Sequence, residues 1–384
     1  MDFALGEEER LLRETVRGLG QQTVGPHAGA WDEARALPQT LLGELGGLGL
    51  LGLEVAEDEG GAGLGAVAAC VLCEELAAVD GGLAQLVVAH NHLGLAHVGQ
   101  GLQGPARVSE LAALVGGERL VAWALPEHVW MPDHEGTLGV TARPHKDGGN
   151  GPDADAWVLD GAVAHVLGAG VAGRLVIAAD SDDGPTAWLC DPKAQGVTRE
   201  SVRTLGARAA GTAHVRLEGV VVPSTHRLAE PGSARRDAAA LLPRAHLGMA
   251  AVACGLARGS LTTATAYAQE REQFGKPIAR HQAIQWKLAD MGTTLDAAWL
   301  LTMQAAWRCD TGRPYATAAA RARLYAATVA TRACSEALQI HGGYGYTREY
   351  PVERALRDAR HGQGRHGIAL RHALCQAIVE RYGG

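Results

Sequence analysis

Two short segments in the C-terminal third of the chain carry residue types that bind a diphosphate. The first reads Arg-Glu-Gln-Phe-Gly-Lys-Pro-Ile at 271–278 and is followed by His281 and Gln282. The second reads Gln-Ile-His-Gly-Gly-Tyr-Gly-Tyr at 339–346. Each segment places a cation, an amide or bare backbone N–H groups at a helix end, which suits a pyrophosphate. The chemistry alone leaves a structural alternative open, in which both segments are loops that simply require glycine.

A third glycine pattern has a different interpretation. Gly47, Gly49 and Gly52 match the spacing G-x-G-x-x-G of a dinucleotide fingerprint. That fingerprint needs a strand before it and a helix start after it. Here a predicted helix precedes the glycines and an acidic, glycine-rich loop follows them. The pattern therefore predicts a turn and no Rossmann domain.

Neither the cysteines nor the histidines have the spacing of a metal site. The seven cysteines are an odd number without framework spacing, and Cys70 and Cys73 lie inside an apolar helical pattern. They are predicted to be buried helix residues, and a reducing cytoplasm is the expected compartment. His361, His366 and His372 do not fall on one helical face and have no acidic neighbours, so no metal is expected.

The composition limits the kinds of molecule that the chain is expected to bind. The chain has 384 residues, a net charge of −7 and a pI near 6.1. An acidic balance argues against a nucleic-acid partner, which normally needs a basic face. No apolar run reaches the roughly 20 residues that span a bilayer, and a charged first helix replaces the basic and apolar regions of a signal peptide. The sequence therefore predicts no membrane segment.

The periodicity predicts an α+β protein with three domains. Residues 1–115 have helical spacing, 116–228 alternate short apolar runs with turn residues, and 229–384 return to long helices. The middle domain is predicted to be antiparallel, with strands at 156–159, 174–178, 187–189 and 215–222. The last domain is predicted to be a four-helix bundle, with helices at 242–269, 282–309, 315–340 and 368–382.

The diphosphate-binding segments, continued by Glu-Tyr-Pro-Val-Glu-Arg at 349–354 and Arg-Asp-Ala at 357–359, resemble the signature regions of the acyl-CoA dehydrogenase family. The loop at 48–65 and the order of the domains are also similar. The resemblance implies an N-terminal α-helical domain, a central antiparallel β domain and a C-terminal four-helix bundle. It also implies a dimer or tetramer, homomeric or heteromeric, in which FAD lies between subunits and the neighbouring subunit holds its ADP half.

The resemblance assigns roles to individual residues. It implies α,β-dehydrogenation of an acyl thioester of CoA or of a carrier protein, with an electron acceptor protein as a further partner. Three positions near the substrate are Arg244, His246 and Gly367. The FAD contacts given to a neighbour map to Arg271, Phe274, Gln282, Gln339, Gly342 and Gly343.

The chain departs from the family at the positions that supply the catalytic base and the flavin-ring contacts of a subunit's own active site. The usual catalytic glutamate, the base that removes the α-proton, is replaced by His366, followed by Gly367 and Ile368. A second family position for the base maps to Ala245. The flavin-facing hydroxyl becomes Pro126, and a Trp-Ile-Thr segment becomes His-Val-Leu at 165–167. The residues lent to a neighbour are kept, whereas those for the chain's own flavin ring and base are changed.

Three hypotheses follow. In the first, the chain is a subunit of a flavin-dependent acyl-thioester dehydrogenase, one form of which is the subunit without a base that completes a partner's FAD site. In the second, it is an active homo-oligomer with His366 as base, or one with a related oxidase or redox-neutral reaction. In the third, it is a structural or binding protein that has kept the fold without FAD. A histidine of pKa near ~6.5 can accept a proton. The adjacent Arg365, however, disfavours the protonated imidazole.

Two further features are interpreted structurally. Trp286, on the helix after Gln282, is predicted to lie in the core or in an interface. The charged residues near the last helix are predicted to form one ion-pair cluster, comprising Glu353, Arg354, Arg357 and Asp358.

Overall fold

A computed structural model describes residues 4–125, 136–145, 155–228 and 230–364, together with 370, 371, 374, 375 and 379. Six positions singled out in the sequence lie outside these residues: Pro126, Arg365, His366, Gly367, Ile368 and His372. The predictions made for them stay predictions.

Helices form the first part of the chain. Their bounds are α1 Glu7–Leu19, α2 Gly25–Ala34, α3 Gln39–Gly47, α4 Ala66–Ala77, α5 Gly81–Ala89, α6 Ala96–Gly101 and α7 Gly104–Val115. A π-helical turn, His90–Leu95, joins α5 to α6, and a second one, Gly20–Val24, joins α1 to α2. Nearly every residue of α4 and α5 is buried, because both helices lie between the other N-terminal helices and the C-terminal helices. The 47–52 glycine pattern is a turn without a preceding strand, as predicted.

Strands follow from Val121. They are β1 Val121–Ala124, β2 Val140–Pro144, β3 Ala156–Val166, β4 Arg174–Ala179, β5 Thr186–Cys190, β6 Val197–Ser201, β7 Ala213–Pro223 and β8 Arg227–Leu228. They form two sheets of order β1-β4-β5-β8 and β2-β3-β7-β6. The prediction of a wholly antiparallel domain is wrong in one respect, because β1 pairs with β4 in parallel, with Trp123 beside Val176. The other named strand pairs are antiparallel.

The two sheets pack face to face, and the side chains of β1 show which face of the first sheet contacts the second. Its side chains alternate, so Ala122 and Ala124 face the second sheet, whereas Val121 and Trp123 face the helices. The first sheet is therefore covered on both sides, by the second sheet and by the helices α6, α7 and the start of the long helix that follows the strands. This explains why all four residues of β1 are buried.

Long helices form the rest of the described chain: α8 Ala234–Glu270, α9 Gln282–Asp310, α10 Ala316–His341 and α11 Val352–Gly364. A hairpin of β9 Glu272–Gln273 and β10 Lys276–Pro277 separates α8 from α9. The first three agree with predicted helices, and α11 is a helix that the sequence interpretation did not predict. α8 lies against α4, since Cβ atoms on Gly255 and Gly259 would come within 2.2 Å of backbone oxygens of Glu74 and Ala78.

One helix of the described chain, α8, is long and apolar enough to meet the length and composition test for a membrane span. However, 61% of its apolar window is buried inside the protein. That burial is typical of the central helix of a helical domain.

Asp310, the last residue of α9, caps the start of α4. Its carboxylate accepts from the N–H of Ala66 at 2.6 Å and of Val67 at 3.0 Å. These N–H groups have no partner within the helix, so we expect Asp310→Ala to lower the free energy of unfolding by about 1–2 kcal/mol. Denaturant unfolding measures this loss, with Asp310→Asn as the control that retains an acceptor. An alanine variant as stable as the asparagine variant would contradict the capping role.

Candidate functional site at the two ends of the bundle

One end of the bundle gathers all the predicted cofactor contacts. α8 ends immediately before Arg271, α9 begins at Gln282, and α10 ends at His341 just before Gly342 and Gly343. Between these ends lies an open depression of about 470 Å³. The side chains and backbone that line it belong to both sequence segments and include Tyr267, Arg271, Ile278, Gly342, Gly343 and Tyr344. The fold thus brings together two segments that are about 70 residues apart in sequence.

An aromatic cluster fixes this end. The rings of Tyr267 and His341 stack with centroids 4.3 Å apart, and Tyr350 meets Tyr267 edge-on at 5.5 Å. The imidazole Nδ1 of His341 lies 2.8 Å from the carbonyl of Ala337. Burial lowers the pKa of His341, so the ring is neutral at pH 7 and acts as a packing group. The cluster holds the end of α10 against α8.

The hairpin between α8 and α9 projects Phe274 into solvent. Phe274 and Gly275 both have positive φ, 55° and 74°, as the two-residue turn of a twisted hairpin requires. This conformation is strained for a residue with a side chain. The ring is nonetheless 92% exposed, so its own subunit gains little burial from it. A large aromatic side chain that is exposed on a strained turn indicates a binding surface for another molecule.

The residues at this end fit the ADP half of FAD. A Cβ added to Gly342 or Gly343 would meet nothing within 4 Å, so their backbone is open to a ligand. The guanidinium of Arg271 lies over the ring of Tyr344 at 6.0 Å, and Gln282 and Gln339 are exposed. The N–H of Gly342 already donates to the carbonyl of Gln339, so the donors for a diphosphate and an adenine are the guanidinium, the amides and the backbone at Gly343.

The opposite end of the bundle carries Arg244. Its guanidinium pairs with the carboxylate of Glu54 and donates to the Cys309 sulfur at 2.8 Å. Glu54 is also 2.9 Å from the imidazole Nε2 of the buried His92. Burial lowers the pKa of His92 to about 4, so the neutral ring donates to Glu54. Arg244 is therefore anchored by its own subunit, a partnership that no sequence motif revealed.

His246, two residues after Arg244 on α8, is also neutral. Burial, together with the positive charge of Arg323, lowers its pKa to about 3. Its Nε2 is buried without a hydrogen-bond partner among the described residues. The imidazole can therefore offer a hydrogen bond to a substrate but no positive charge. Beside it, Ala245 is buried against the first sheet, in the same apolar cluster as Trp123.

The changed flavin-facing segment is described in part. Leu167 is buried in the helical core. His165 has φ of 55° at an irregularity of the β3–β7 pairing, and its ring meets that of His214 edge-on at 4.7 Å. Trp286 is 65% exposed, so the core interpretation is wrong for this subunit and the interface interpretation stays a prediction. His361 lies 2.8 Å from the amide oxygen of Gln85.

The predicted ion-pair cluster divides into two parts. Arg357 pairs with Glu353 and with Asp32 of α2, both at 2.8 Å. Asp358 instead turns inward and accepts from the N–H of Ala207 at 2.7 Å. The prediction of one cluster that includes Asp358 is wrong, because this carboxyl is buried where the N-terminal helices, the strand region and α11 meet.

A second carboxyl, Asp80 at the start of α5, lies beside Asp358. A Cβ on Gly81 would come within 3.1 Å of an Asp358 carboxyl oxygen, so the carboxyl occupies that space. Burial, and then the charge of Asp80, raise the pKa of Asp358 to about 7. The pKa of Asp80 is raised by burial as well. Sequence spacing did not show this pair, because its members are 278 residues apart.

The raised pKa predicts a pH-dependent stability. The folded protein keeps a proton on Asp358 that the unfolded chain loses near pH ~3.9, so stability falls as pH rises through the interval up to about 7. Between pH ~5.5 and ~8 we expect a loss of about 2 kcal/mol. The asparagine of the variant Asp358→Asn cannot ionise. The free energy of unfolding of this variant, measured in urea, should therefore depend on pH at most half as steeply as that of the wild type. An unchanged slope would contradict the assignment to Asp358.

Comparison with known proteins gives the family of the chain. The family model described as "Acyl-CoA dehydrogenase, C-terminal domain" matches residues 236–367, and "Acyl-CoA dehydrogenase, N-terminal domain" matches residues 6–103. Benzylmalonyl-CoA dehydrogenase of Aromatoleum aromaticum is 36% identical over 94% of both chains. The chain belongs to the acyl-CoA dehydrogenase family.

Solved structures show the same fold over nearly the whole length. Butyryl-CoA dehydrogenase from Megasphaera elsdenii aligns with a TM-score of 0.90 at 30% identity, covering 99% of this chain and 100% of the other. A glutaryl-CoA dehydrogenase from Mycobacterium smegmatis, in complex with FADH2, aligns with a TM-score of 0.85 at 28% identity, covering 96% and 95%. The predicted fold class is confirmed, and the chain is an FAD-dependent oxidoreductase of the CH–CH class.

Proposed function

We propose that this chain is a subunit of an acyl-thioester dehydrogenase that lends one end of its bundle to the FAD of a neighbouring subunit. The observation that carries the proposal is the open depression at 271–282 and 339–347. Arg271 and the backbone of Gly342 and Gly343 line it, and the adjacent Phe274 is 92% exposed, so these groups face outward from their own subunit. Such residues become useful when a second subunit brings a cofactor against them, which is why an oligomer is part of the proposal.

The roles of the chain's own residues follow from their chemistry. Arg271 and the N–H of Gly343 hold the diphosphate, the open backbone of Gly342 lies beside them, and Gln282 and Gln339 supply amide hydrogen bonds. At the other end, the neutral His246 offers one hydrogen bond to the substrate, and Glu54 fixes the position of Arg244. FAD, when bound, accepts the hydride that leaves the β-carbon of the acyl group.

The assembly can take two forms, which differ in the chain that supplies the catalytic base. In one, a partner chain supplies a carboxylate and this chain completes the partner's FAD site. In the other, His366 accepts the α-proton in a homo-oligomer. Ala245, the second family position for a base, carries only a methyl group, so this chain contributes no carboxylate there.

The experiment compares the full chain expressed alone with the chain co-expressed with a homologue that has Glu at the position of His366. Bound flavin is measured by its absorbance near ~450 nm, and turnover by the loss of that absorbance on adding butyryl-CoA and longer saturated acyl-CoAs. Flavin and bleaching in the chain alone support the homo-oligomer. Flavin only after co-expression supports the complementing subunit. Protein without flavin or bleaching in either preparation overturns the proposal.

The histidine form has its own test. His366→Ala should abolish bleaching in the chain expressed alone if the imidazole accepts the α-proton, while flavin content stays the same. Unchanged turnover in this variant removes His366 from the mechanism.

A further inference from the structure

Arg323, on α10, lies in the interior of the protein between α8 and α11. The residue is only 3% exposed, and the crevice beside it has a volume of about 10 Å³, too small for a substrate. Its Nη1 donates to the carbonyl of Met249 on α8 at 3.3 Å, and its Nη2 donates to the carbonyl of Gly362 on α11. One buried guanidinium therefore connects three helices.

The carbonyl of Gly362 belongs to the last turn of α11, which ends at Gly364. Carbonyl groups of a last turn have no N–H partner within the helix, and the helix dipole favours a cation beside them. Arg323 supplies both the donor and the cation. It therefore caps the end of α11 from a different helix.

A second contact holds the same turn from the side of α5. Nε2 of the buried Gln85 donates to the carbonyl of Asp358 at 3.4 Å, which leaves its Oε1 to accept from Nδ1 of His361 at 2.8 Å. The last turn of α11 is thus held at His361 by α5 and at Gly362 by α10. Contacts from two directions at neighbouring positions fix both the place and the rotation of this helix end.

Arg323 also lies beside the α8 position that the family resemblance places near the substrate. Met249 is three residues after His246, about 5 Å along the helix axis. Burial, and then the positive charge of Arg323, lower the pKa of His246 to about 3, so the guanidinium is within electrostatic reach of this imidazole. In the sequence, His366 follows Gly362 by four residues, so at most about 14 Å of chain separates them.

We propose that Arg323 is a positioning residue for the dehydrogenation, because it holds the last turn of α11 at a fixed place against the α8 turn that carries His246. The inference rests on the proposed function, in the form in which this chain's own substrate end carries out the reaction. It adds a residue to which the family resemblance assigned no role. Arg323 acts through α11 and α8 and does not contact the substrate, since it is buried and both terminal nitrogens donate to backbone carbonyls.

The test compares the full chain, expressed alone, with Arg323→Met, which keeps a side chain of similar reach without charge or donors. We expect the maximal rate of bleaching by butyryl-CoA, per bound flavin, to fall about 10-fold or more, since small displacements of reacting groups have effects of this size. The half-saturating concentration and the flavin content should stay the same. Arg323→Lys, which retains a cation, should recover part of the rate. Arg10→Met, at an exposed arginine of α1, is the control and should react as the wild type does.

Hydrogen–deuterium exchange of the backbone shows whether the contact itself holds α11. Losing a hydrogen bond from a charged donor increases local opening about 10-fold or more, so amides at 359–364 should exchange faster by this factor in Arg323→Met. Amides of α4 should exchange as in the wild type, which distinguishes a local change from a general loss of stability. The unfolding temperature verifies that each variant is folded.

The outcomes separate this inference from the proposed function. Unchanged exchange at 359–364 overturns the inference, even where bleaching shows that the dehydrogenase proposal holds. Faster exchange with an unchanged maximal rate makes Arg323 a structural residue only and also overturns it. Bleaching that requires a co-expressed partner overturns the positioning role and leaves the dehydrogenase proposal standing. A wild type without bleaching in either preparation overturns the dehydrogenase proposal, and the positioning role with it.

Discussion

Replacing Arg258 with alanine is expected to lower the free energy of unfolding by about 3–5 kcal/mol. Arg258, on α8, pairs with two carboxylates of α4: its Nη2 lies 2.9 Å from Glu75 and donates to Glu74 at 3.1 Å. The Glu74 and Glu75 side chains are only 7% and 3% exposed. Removing the cation leaves Glu74 without an ion-pair partner among the described residues. A buried, unpaired charge is one of the few changes with so large a cost.

Guanidinium unfolding of wild type and variant measures the loss. Burial already raises the pKa of Glu74, and losing the arginine raises it further. The folded variant then binds a proton that the unfolded chain releases near ~4.3, so its extra instability should grow as pH rises above that value. The double variant Arg258→Ala/Glu74→Gln removes the unpaired charge and should recover at least half of the loss. Failure to recover would show that packing of the arginine stem, and not charge, is responsible.

Arg271→Glu is expected to weaken FAD binding by about 10- to 100-fold or more. Arg271 is the one cationic side chain that lines the depression at the lending end of the bundle, as far as the structure describes it. Losing a charge-assisted contact to phosphate accounts for about 1.5–3 kcal/mol, and the new carboxylate adds repulsion. The dissociation constant of FAD, measured by quenching of flavin fluorescence, reports the change.

The matched control for charge is Arg216→Glu on β7, whose side chain is 69% exposed and far along the chain from the bundle. It should bind FAD as the wild type does. If both variants bind FAD equally well, Arg271 does not contact the cofactor and the role carried over from the family is wrong for this chain. Gln339→Ala offers a milder test at the same end, without a change of charge.

Local patterns predicted most of the fold. The long helices have apolar residues at helical spacing, and the strands have short apolar runs bounded by turn residues, so both were visible over ten to thirty residues. The two segments proposed to contact FAD are each contained within eight residues, so their resemblance to the family's signature regions was visible in the sequence, whereas their chemistry alone left open loops that simply require glycine. Only the structure shows that the two segments lie together at one end of the helical bundle.

Contacts between distant parts of the chain could not be predicted. The parallel pairing of β1 with β4 joins residues about 50 positions apart, and nothing in either strand specifies its direction. Asp358 was predicted to join an ion-pair cluster because its neighbours Arg354 and Arg357 are charged. Its burial depends on Asp80 and Ala207, which only the packed structure brings to it. The anchoring of Arg244 by Glu54 was hidden for the same reason.

The length of α8 has a genetic consequence. Arg244 and Arg271 are 27 residues apart on and just beyond this helix, a distance of about 40 Å at the rise of an α-helix. A defect at one end therefore leaves the other intact. In an oligomer that shares its sites, a chain damaged at its lending end and a chain damaged at its substrate end can together form one complete site, so two inactive alleles expressed in the same cell would complement each other.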